Sequence, residues 1–179
     1  PLGIFYDSKT NIIILHALVG VNGLEWQLAD SLNILAKELK VKEIISIEGI
    51  GAQGLVGMAS ADSGASKAYF YSSNNKKWES AGSLPLKEGI VMGVTGAMLL
   101  NIKDTPLSCI FAETHTNLPD SRAAARVIEI LDSYLGLKID YKPLLKKAEE
   151  FEVKLKGILE KTKTAEKLKQ DKDELNYLG

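Results

Sequence analysis

A carboxylate and an imidazole two residues apart are the side chains whose types and spacing best suit chemistry. Glu113 and His115 follow an apolar run of strand length, and alternate residues of an extended segment face the same side. Such a pair at the C-terminal end of a strand could transfer a proton as acid and base. The chain has no nucleophile motif and only one further histidine, His16, so a structural role is the favoured interpretation.

A glycine-rich stretch is the second candidate for chemistry. Gly49, Gly51, Gly54 and Gly57 follow a predicted strand and could let backbone N–H groups approach a phosphate. The stretch lacks the GxxxxGK[ST] sequence of a phosphate-binding loop and the GxGxxG fingerprint within a βαβ unit. Tight turns are therefore the favoured interpretation, and no cofactor is expected.

A single cysteine and a nearly neutral charge exclude several kinds of site and partner. Cys109 lies inside the apolar run 107–112, which excludes an internal disulfide and a multi-cysteine metal site and predicts a place in the core. The formal net charge is -1 and no Lys/Arg cluster is interleaved with aromatic residues, so nucleic acid is not expected as a partner. Neither a membrane-spanning stretch nor a leader pattern is recognised. We expect a cytoplasmic protein that binds no membrane and no metal ion.

Apolar runs of strand length alternate with segments of helical periodicity, which predicts an α/β fold with a central mixed or mostly parallel sheet flanked by helices. Strands are expected at residues 11–19, buried in the sheet, at 41–47, at 67–71 with a hairpin turn at 72–75 leading to Trp78, at 90–94 and at 107–112. Helices are expected at 25–39, within 96–104, and from Asp120 to Leu135. Asp120 suits the N-cap of the last helix and Gly136 its C-terminal stop.

The C-terminal part of the chain changes character. An apolar stripe with alternating spacings of four and three residues is carried by Leu144, Ala148, Phe151, Leu155, Ile158, Thr162 and Ala165. It suits either a partner helix or a helix folded back on its own domain. A charged segment at 167–174, expected to be mobile, then leads to an apolar and aromatic tip. We therefore predict an α/β domain at 1–140, a helical stalk at 141–166 and a flexible tail with a docking tip at 167–179.

Several short stretches together resemble the proteasome assembly chaperone family, and its archaeal members most of all. They are Gly82…Leu86…Gly89-Ile90…Gly93…Gly96-Ala97-Met98-Leu99-Leu100, Ala112-Glu113-Thr114, Pro119-Asp120-Ser121-Arg122-Ala123-Ala124 and Leu135-Gly136-Leu137-Lys138-Ile139-Asp140. The resemblance covers roughly residues 11–155, including a Glu48-Gly49 turn after the second strand. It implies a fold similar to that of nucleoside phosphorylases, self-assembly, no catalytic chemistry, and the α-subunit ring of the 20S proteasome as the partner.

The same resemblance implies a role for the tip. Several members of the family end in a hydrophobic residue, a tyrosine and any residue, as proteasome-activating ATPases do, and this tail enters pockets between adjacent α subunits. Here Tyr177 is third from the end and Leu178 is penultimate, a shift of one residue from that pattern. The carboxylate of Gly179 would pair with a cation of the pocket. Several tails on one homo-oligomer would raise their effective concentration at the ring.

The resemblance thus implies a homo-oligomer that docks its tails on the α ring, either as an assembly chaperone or as an ATP-independent activator. The residues expected to bind the partner are Leu175, Tyr177, Leu178 and Gly179. The alternative is a small-molecule-binding or nucleoside-phosphorylase-like enzyme of related fold.

Overall fold

The computed structural model describes residues 2–51, 67–114 and 120–158, without 144, 148 and 152. The elements in chain order are β1 (Leu2–Asp7), β2 (Ile12–Ala17), α1 (Glu25–Glu38), β3 (Ile44–Gly51), β4 (Ala68–Tyr71), α2 (Asn75–Ser80), β5 (Leu84–Pro85), α3 (Gly93–Asn101), β6 (Leu107–Thr114) and α4 (Ser121–Leu135). Helical backbone recurs at the described positions between 142 and 158. Within the described ranges, no helix has the length and apolar character needed to cross a membrane.

A mixed four-stranded sheet forms the centre of the fold, in the order β3-β6-β4-β5. β6 runs parallel to β3 and antiparallel to β4, and β5 runs parallel to β4. Helices flank this sheet: Ile110 lies in one buried cluster with Val127 and Ile130 of α4, and Cys109 lies in another with Leu99 of α3. Because both faces of β6 are covered, residues 109–112 in its middle form a continuous apolar run. The predicted α/β fold with a mixed, helix-flanked sheet is confirmed.

The last helix of the domain forms as its sequence predicts. The side chain of Asp120 accepts hydrogen bonds from the backbone N–H groups of Arg122 and Ala123, at 3.1 and 3.0 Å. α4 ends at Gly136, whose φ of 69° lies in the left-handed region that glycine adopts without strain. The predictions of a strand at 107–112, of a helix at 25–39 and of a core position for Cys109 are also confirmed.

The strand predicted at 11–19 exists, but its predicted burial is wrong. β2 pairs antiparallel with β1 alone, and the two form a sheet separate from the central one. The turn between them is held by Asp7, whose carboxylate accepts hydrogen bonds from the backbone N–H and the hydroxyl of Thr10. Isoleucine-rich sequence indicates a strand, but β-propensity does not specify whether a layer covers it.

The hairpin predicted to run from β4 to Trp78 is wrong. β4 forms, but residues 75–80 are the short helix α2, and Trp78 is fully buried on it. β4 already has a neighbour on each side, β6 and β5, so it needs no hairpin partner after its end. The indole ring instead enters the cluster between the sheet and α4, where it packs with Phe70 and Ile130.

Two further strand boundaries differ from the prediction. No strand forms at 90–94: Ile90 is 86% exposed, and Gly93 has a φ of 64° and begins α3. The positive φ of Gly93 ends the extended backbone there. The helix α3 starts at that residue, before the predicted range 96–104. β3 starts at Ile44 rather than at residue 41. It ends later than the predicted residue 47 because Glu48 to Gly51 continue the ladder with β6.

Candidate functional site

The four residues predicted to bind a partner, Leu175, Tyr177, Leu178 and Gly179, lie outside the residues that the structure describes. The charged segment 167–174 lies outside them as well. The segment between α4 and residue 158 is described, and it leads toward the predicted site. Its geometry decides from which direction the rest of the chain departs.

A compact turn fixes the start of that segment, and Asp132 holds it in three places. The backbone carbonyl of Asp132 accepts hydrogen bonds from the N–H groups of Gly136 and Leu137, at 2.8 and 3.2 Å. Its carboxylate accepts a third from the N–H of Ile139 at 2.9 Å. The first two bonds satisfy a carbonyl at the end of α4 that the helix itself leaves free. The chain therefore leaves α4 along a defined path.

The helical segment that follows keeps apolar side chains in solvent. Phe151 and Ile158, two residues of the predicted stripe, are exposed, and Leu155 is half-buried. Leu144 and Ala148 lie outside the described residues. At Phe151 and Ile158, packing against the chain's own domain does not cover the stripe. The exposed Phe151 side chain is available to another helix.

The proposed acid and base pair is described only in part. Glu113 is buried near the end of β6, whereas His115 lies outside the described residues. His16 is exposed on β2, in the separate two-stranded sheet. The acidic partner of the pair thus sits in an apolar layer. Burial, and then the charge of Glu113, raise the pKa of the Tyr69 phenol.

The glycine-rich stretch does not begin as the turn that the sequence suggests. Gly49 and Gly51 lie in β3, in register with Ala112 and Thr114 of β6. Both residues are extended in the ladder with β6, on a strand at the edge of the described sheet, where alternate backbone N–H groups bind the neighbouring strand. The Glu48-Gly49 turn is therefore wrong. Gly54 and Gly57 lie outside the described residues.

A second carboxylate, which the sequence analysis missed, lies in the same apolar layer. Glu48 is on the face of β3 that Ile50 also occupies, and its Oε2 atom is shielded from solvent without a hydrogen-bond partner among the described residues. Burial, and then the charge of Glu48, raise the pKa of the Cys109 thiol to about 12. A thiol with so high a pKa carries no thiolate at neutral pH. Cys109 is therefore not expected to act as a nucleophile. The alternation of side chains along β3 is the sequence signal that could have placed Glu48 on the same face as Ile50.

A polar network occupies the opposite end of the sheet, where β3 and β6 begin. The phenol of Tyr134 donates to the carboxylate of Glu43, with its oxygen 2.9 and 3.1 Å from Oε2 and Oε1. Ser108 also donates to Glu43, and the indole N–H of Trp78 donates to Ser108 at 3.2 Å. Burial, followed by this bond to Glu43, raises the pKa of Tyr134 to about 12. No spacing in the sequence brings these residues together.

This network fastens the fold and offers little for catalysis. The Ser108 hydroxyl is almost completely buried, so a substrate carbonyl has no access to it, and no imidazole is among its described hydrogen-bond partners. Activation of a serine needs an adjacent general base and an open approach. In the ranges that the structure describes, no three His, Cys, Asp or Glu side chains are grouped to hold a metal ion.

Comparison with known proteins finds relatives over nearly the whole chain. The model of a family described as the PAC2 family matches residues 1–159. Two crystal structures of Pyrococcus furiosus PbaA, an archaeal homolog of proteasome-assembly chaperone, superpose with TM-scores of 0.74 and 0.70 at 28% and 31% sequence identity. They cover 99% and 92% of this chain and 73% and 72% of PbaA.

Two other relatives are more distant or shorter matches. Pyrococcus furiosus PbaB, an archaeal proteasome activator, has the same fold, with a TM-score of 0.63 and 18% identity over 82% of this chain and 64% of PbaB. An uncharacterized protein of Methanocaldococcus jannaschii is 35% identical over 74 residues, which are 40% of this chain. The match spans only 31% of the length of that relative.

Proposed function

The chain belongs to the PAC2 family, and from that premise we propose that it is a homo-oligomeric proteasome-binding protein. It docks its C-terminal tails on the α ring of the 20S proteasome. The docking serves either to chaperone assembly of the ring or to activate the mature particle without ATP. The protein has no enzymatic activity of its own.

The similarity to PbaA over nearly the whole chain is the observation that carries this proposal. PbaA is an archaeal homolog of proteasome-assembly chaperone, so a proteasome is the partner that the relationship favours. Neither candidate nucleophile of the described four-stranded sheet favours an enzyme instead, because the Cys109 thiol is protonated and the Ser108 hydroxyl is buried.

The path of the chain after α4 supports docking by the tail. Asp132 fixes the direction in which the polypeptide leaves the domain. Phe151 stays exposed on the helical segment that follows, so neighbouring copies can pack these segments together. Copies held side by side present several tips to one ring, and multivalent attachment strengthens a weak individual contact by roughly 100-fold or more.

The test compares the full chain with a version that ends at Glu174, each added to mature 20S core particles and to free α subunits. Tyr177→Ala is the matched single substitution, and Asn176→Ala, its neighbour, is the control. We expect binding to be lost in the truncated form and in Tyr177→Ala and to persist in Asn176→Ala. Equal binding by the full and truncated chains would refute tail docking.

Peptide hydrolysis measured in the same samples separates the two roles. Faster hydrolysis by mature particles on tail-dependent binding identifies an activator. Preferential binding to free α subunits, with unchanged hydrolysis, identifies an assembly chaperone. A chain that binds neither form of the partner would contradict the proposed function as a whole.

A further inference from the structure

One side of the β1-β2 hairpin is a continuous apolar surface. The register pairs Leu2 with Ala17, Ile4 with Leu15 and Tyr6 with Ile13, and these six side chains share one side because residues alternate along each strand. No charged residue interrupts the three pairs. We call this side, formed by Leu2, Ile4, Tyr6, Ile13, Leu15 and Ala17, the hairpin face.

The hairpin face lies in solvent. Ile4 is 61% exposed, Tyr6 is 60% exposed and Leu2 is 53% exposed. On the opposite side Phe5 and Ile14 are exposed as well. Among the described strands these two pair only with each other, so neither is hydrogen-bonded into the central sheet.

The turn shows that the hairpin is a formed element. Asp7 accepts hydrogen bonds from Thr10 through both the backbone N–H and the hydroxyl, at 3.1 and 2.6 Å. The hydroxyl bond is the largest cause of the lowered pKa of Asp7. The phenol of Tyr6 also donates to the side-chain oxygen of Asn11 at 3.1 Å. These bonds set the register that brings the three apolar pairs together.

A two-stranded sheet with apolar side chains on both sides is not stable by itself in water. Such hairpins are marginal unless further strands or a helix cover them. Natural edge strands are usually protected by a lysine, a proline or an inward-pointing charge. Residues 2–6 and 12–17 contain none of these, and His16 is their only titratable side chain besides Tyr6. Some surface must therefore cover the hairpin in the working protein.

The composition of the hairpin face favours a second copy of the same chain as its cover. Two copies related by a two-fold axis bring identical apolar rows together without opposing like charges. The exposed side chains of the hairpin face, chiefly Leu2, Ile4, Tyr6 and Ile13, offer on the order of 500 Å² per copy, which is less than the roughly 800 Å² per partner of a standard interface and fits a weaker, concentration-dependent contact. We propose that the hairpin face packs against the hairpin face of a second copy.

This inference deepens the proposed function, because it names a surface, apart from the helical segments after α4, through which copies in the homo-oligomer of that proposal meet. Placing the contact on the hairpin leaves the C-terminal segment of each copy unused by it. The tails remain available for another partner. Self-association and docking can therefore be tested separately.

Ile4→Lys tests the interface, since it places a charge in the middle pair of the hairpin face. Ile90→Lys is the matched control, because Ile90 is exposed in the segment before α3. The molar mass of the full chain is measured by light scattering and sedimentation across micromolar concentrations. We expect the wild type and Ile90→Lys to share one oligomeric mass, and Ile4→Lys to dissociate at concentrations at least 10-fold higher than they do.

A cysteine at the same position keeps the test independent of charge effects on folding. The only native cysteine, Cys109, is fully buried, so a disulfide between copies of Ile4→Cys reports contact between hairpin faces. Cα atoms must approach within about 7 Å for it to form. Rapid oxidation to a covalent dimer in Ile4→Cys, and none in Ile90→Cys, is expected.

An unchanged mass in Ile4→Lys together with no cross-link in Ile4→Cys would overturn the inference. If the wild type still binds the proteasome through its tails in that case, the proposed docking survives without this interface. A wild type that is monomeric overturns both the inference and the homo-oligomeric part of the proposal. Loss of proteasome binding in Ile4→Lys at unchanged mass assigns the hairpin to the partner and also overturns the inference.

Discussion

The indole ring of Trp78 stacks on the phenol ring of Tyr134, with 3.7 Å between the ring centroids and 12° between the ring planes. The contact joins α2 to the C-terminal end of α4. The ammonium group of Lys77 lies 3.9 Å from the centre of the same phenol ring, a cation-π arrangement. Beneath them, Glu43 accepts the phenol hydrogen bond at the beginning of β3.

Tyr134→Phe keeps the stacked ring and removes only the hydroxyl that binds Glu43. The carboxylate then loses one donor in a partly buried place, which typically costs about 1 to 3 kcal/mol. We expect the free energy of unfolding in urea to fall by that amount. Tyr71→Phe is the control, because Tyr71 is exposed on β4. Equal stability of Tyr134→Phe and the wild type would show that the hydrogen bond contributes nothing.

We expect the free energy of unfolding to fall as the pH rises above 9. The pKa of Cys109 is 9.0 in the unfolded reference and about 12 in the fold. That of Tyr134 rises from 10.0 to about 12. Because the folded state holds these protons more tightly, the stabilisation is complete below pH 9 and is lost as the pH rises toward 12. Unfolding curves at a series of pH values measure the slope.

Cys109→Ala isolates the thiol's share of that slope. Between pH 9 and 10 the thiol ionises in the unfolded chain but stays protonated in the fold, so this variant should lose less stability there than the wild type does. Above pH 10 both proteins should lose stability through Tyr134. An identical slope for the two proteins between pH 9 and 10 would contradict the raised pKa of Cys109.

The sequence predicted the parts of the fold in which local signals and burial agree. α4 carries a capping aspartate, an apolar face and a glycine stop, and all three act within one helix. The middle of β6, residues 109–112, is continuously apolar because helices cover both of its faces. In these elements the local sequence and the tertiary environment favour the same structure.

The prediction failed where a partner element decided the outcome. β2 is as rich in isoleucine as a buried strand, yet its neighbour is β1, which the sequence analysis did not identify. Trp78 follows a plausible turn sequence, but it lies on the short helix α2, and its ring packs in the apolar cluster between β4 and α4. The network of Glu43, Ser108 and Tyr134 depends on contacts across 65 and 91 residues. No local pattern encodes contacts of that range.

Gly136→Ala tests backbone strain without steric change. A Cβ at Gly136 would meet no atom within 4 Å, so only the positive φ of 69° opposes the substitution. We expect a loss of about 1 kcal/mol in the free energy of unfolding. Gly157→Ala is the matched control: its Cβ also meets nothing, and its helical backbone should instead gain up to about 1 kcal/mol of helix propensity. Equal effects of the two substitutions would exclude the left-handed stop.

Glu48→Gln tests whether the shielded carboxylate of Glu48 weakens the fold. Its Oε2 atom has no hydrogen-bond partner among the described residues, and a neutral amide is cheaper to leave without a partner than a charge. We expect unchanged or higher stability and a lower pKa for Cys109, since the charge of Glu48 adds to burial in raising it. Thiol reactivity against pH measures the latter. Strong destabilisation by Glu48→Gln would mean that the charge has a partner.

Asp132→Ala tests whether the path of the chain after α4 matters for docking. The substitution removes the acceptor of the Ile139 N–H while leaving the backbone bonds of the turn in place. The domain should lose only about 1 kcal/mol of stability, the usual value of one exposed hydrogen bond. The C-terminal segments would then sample more directions, which lowers the effective concentration of the tails at the α ring.

We therefore expect Asp132→Ala to weaken proteasome binding by about 3- to 10-fold, with an oligomeric mass like that of the wild type. Glu129→Ala is the control on the same helix, because Glu129 forms an exposed ion pair with Arg126 and such pairs contribute at most about 1 kcal/mol. Binding is measured with mature core particles at equal protomer concentration. If both variants bind as the wild type does, the hydrogen bond from Ile139 to Asp132 does not orient the tails for docking.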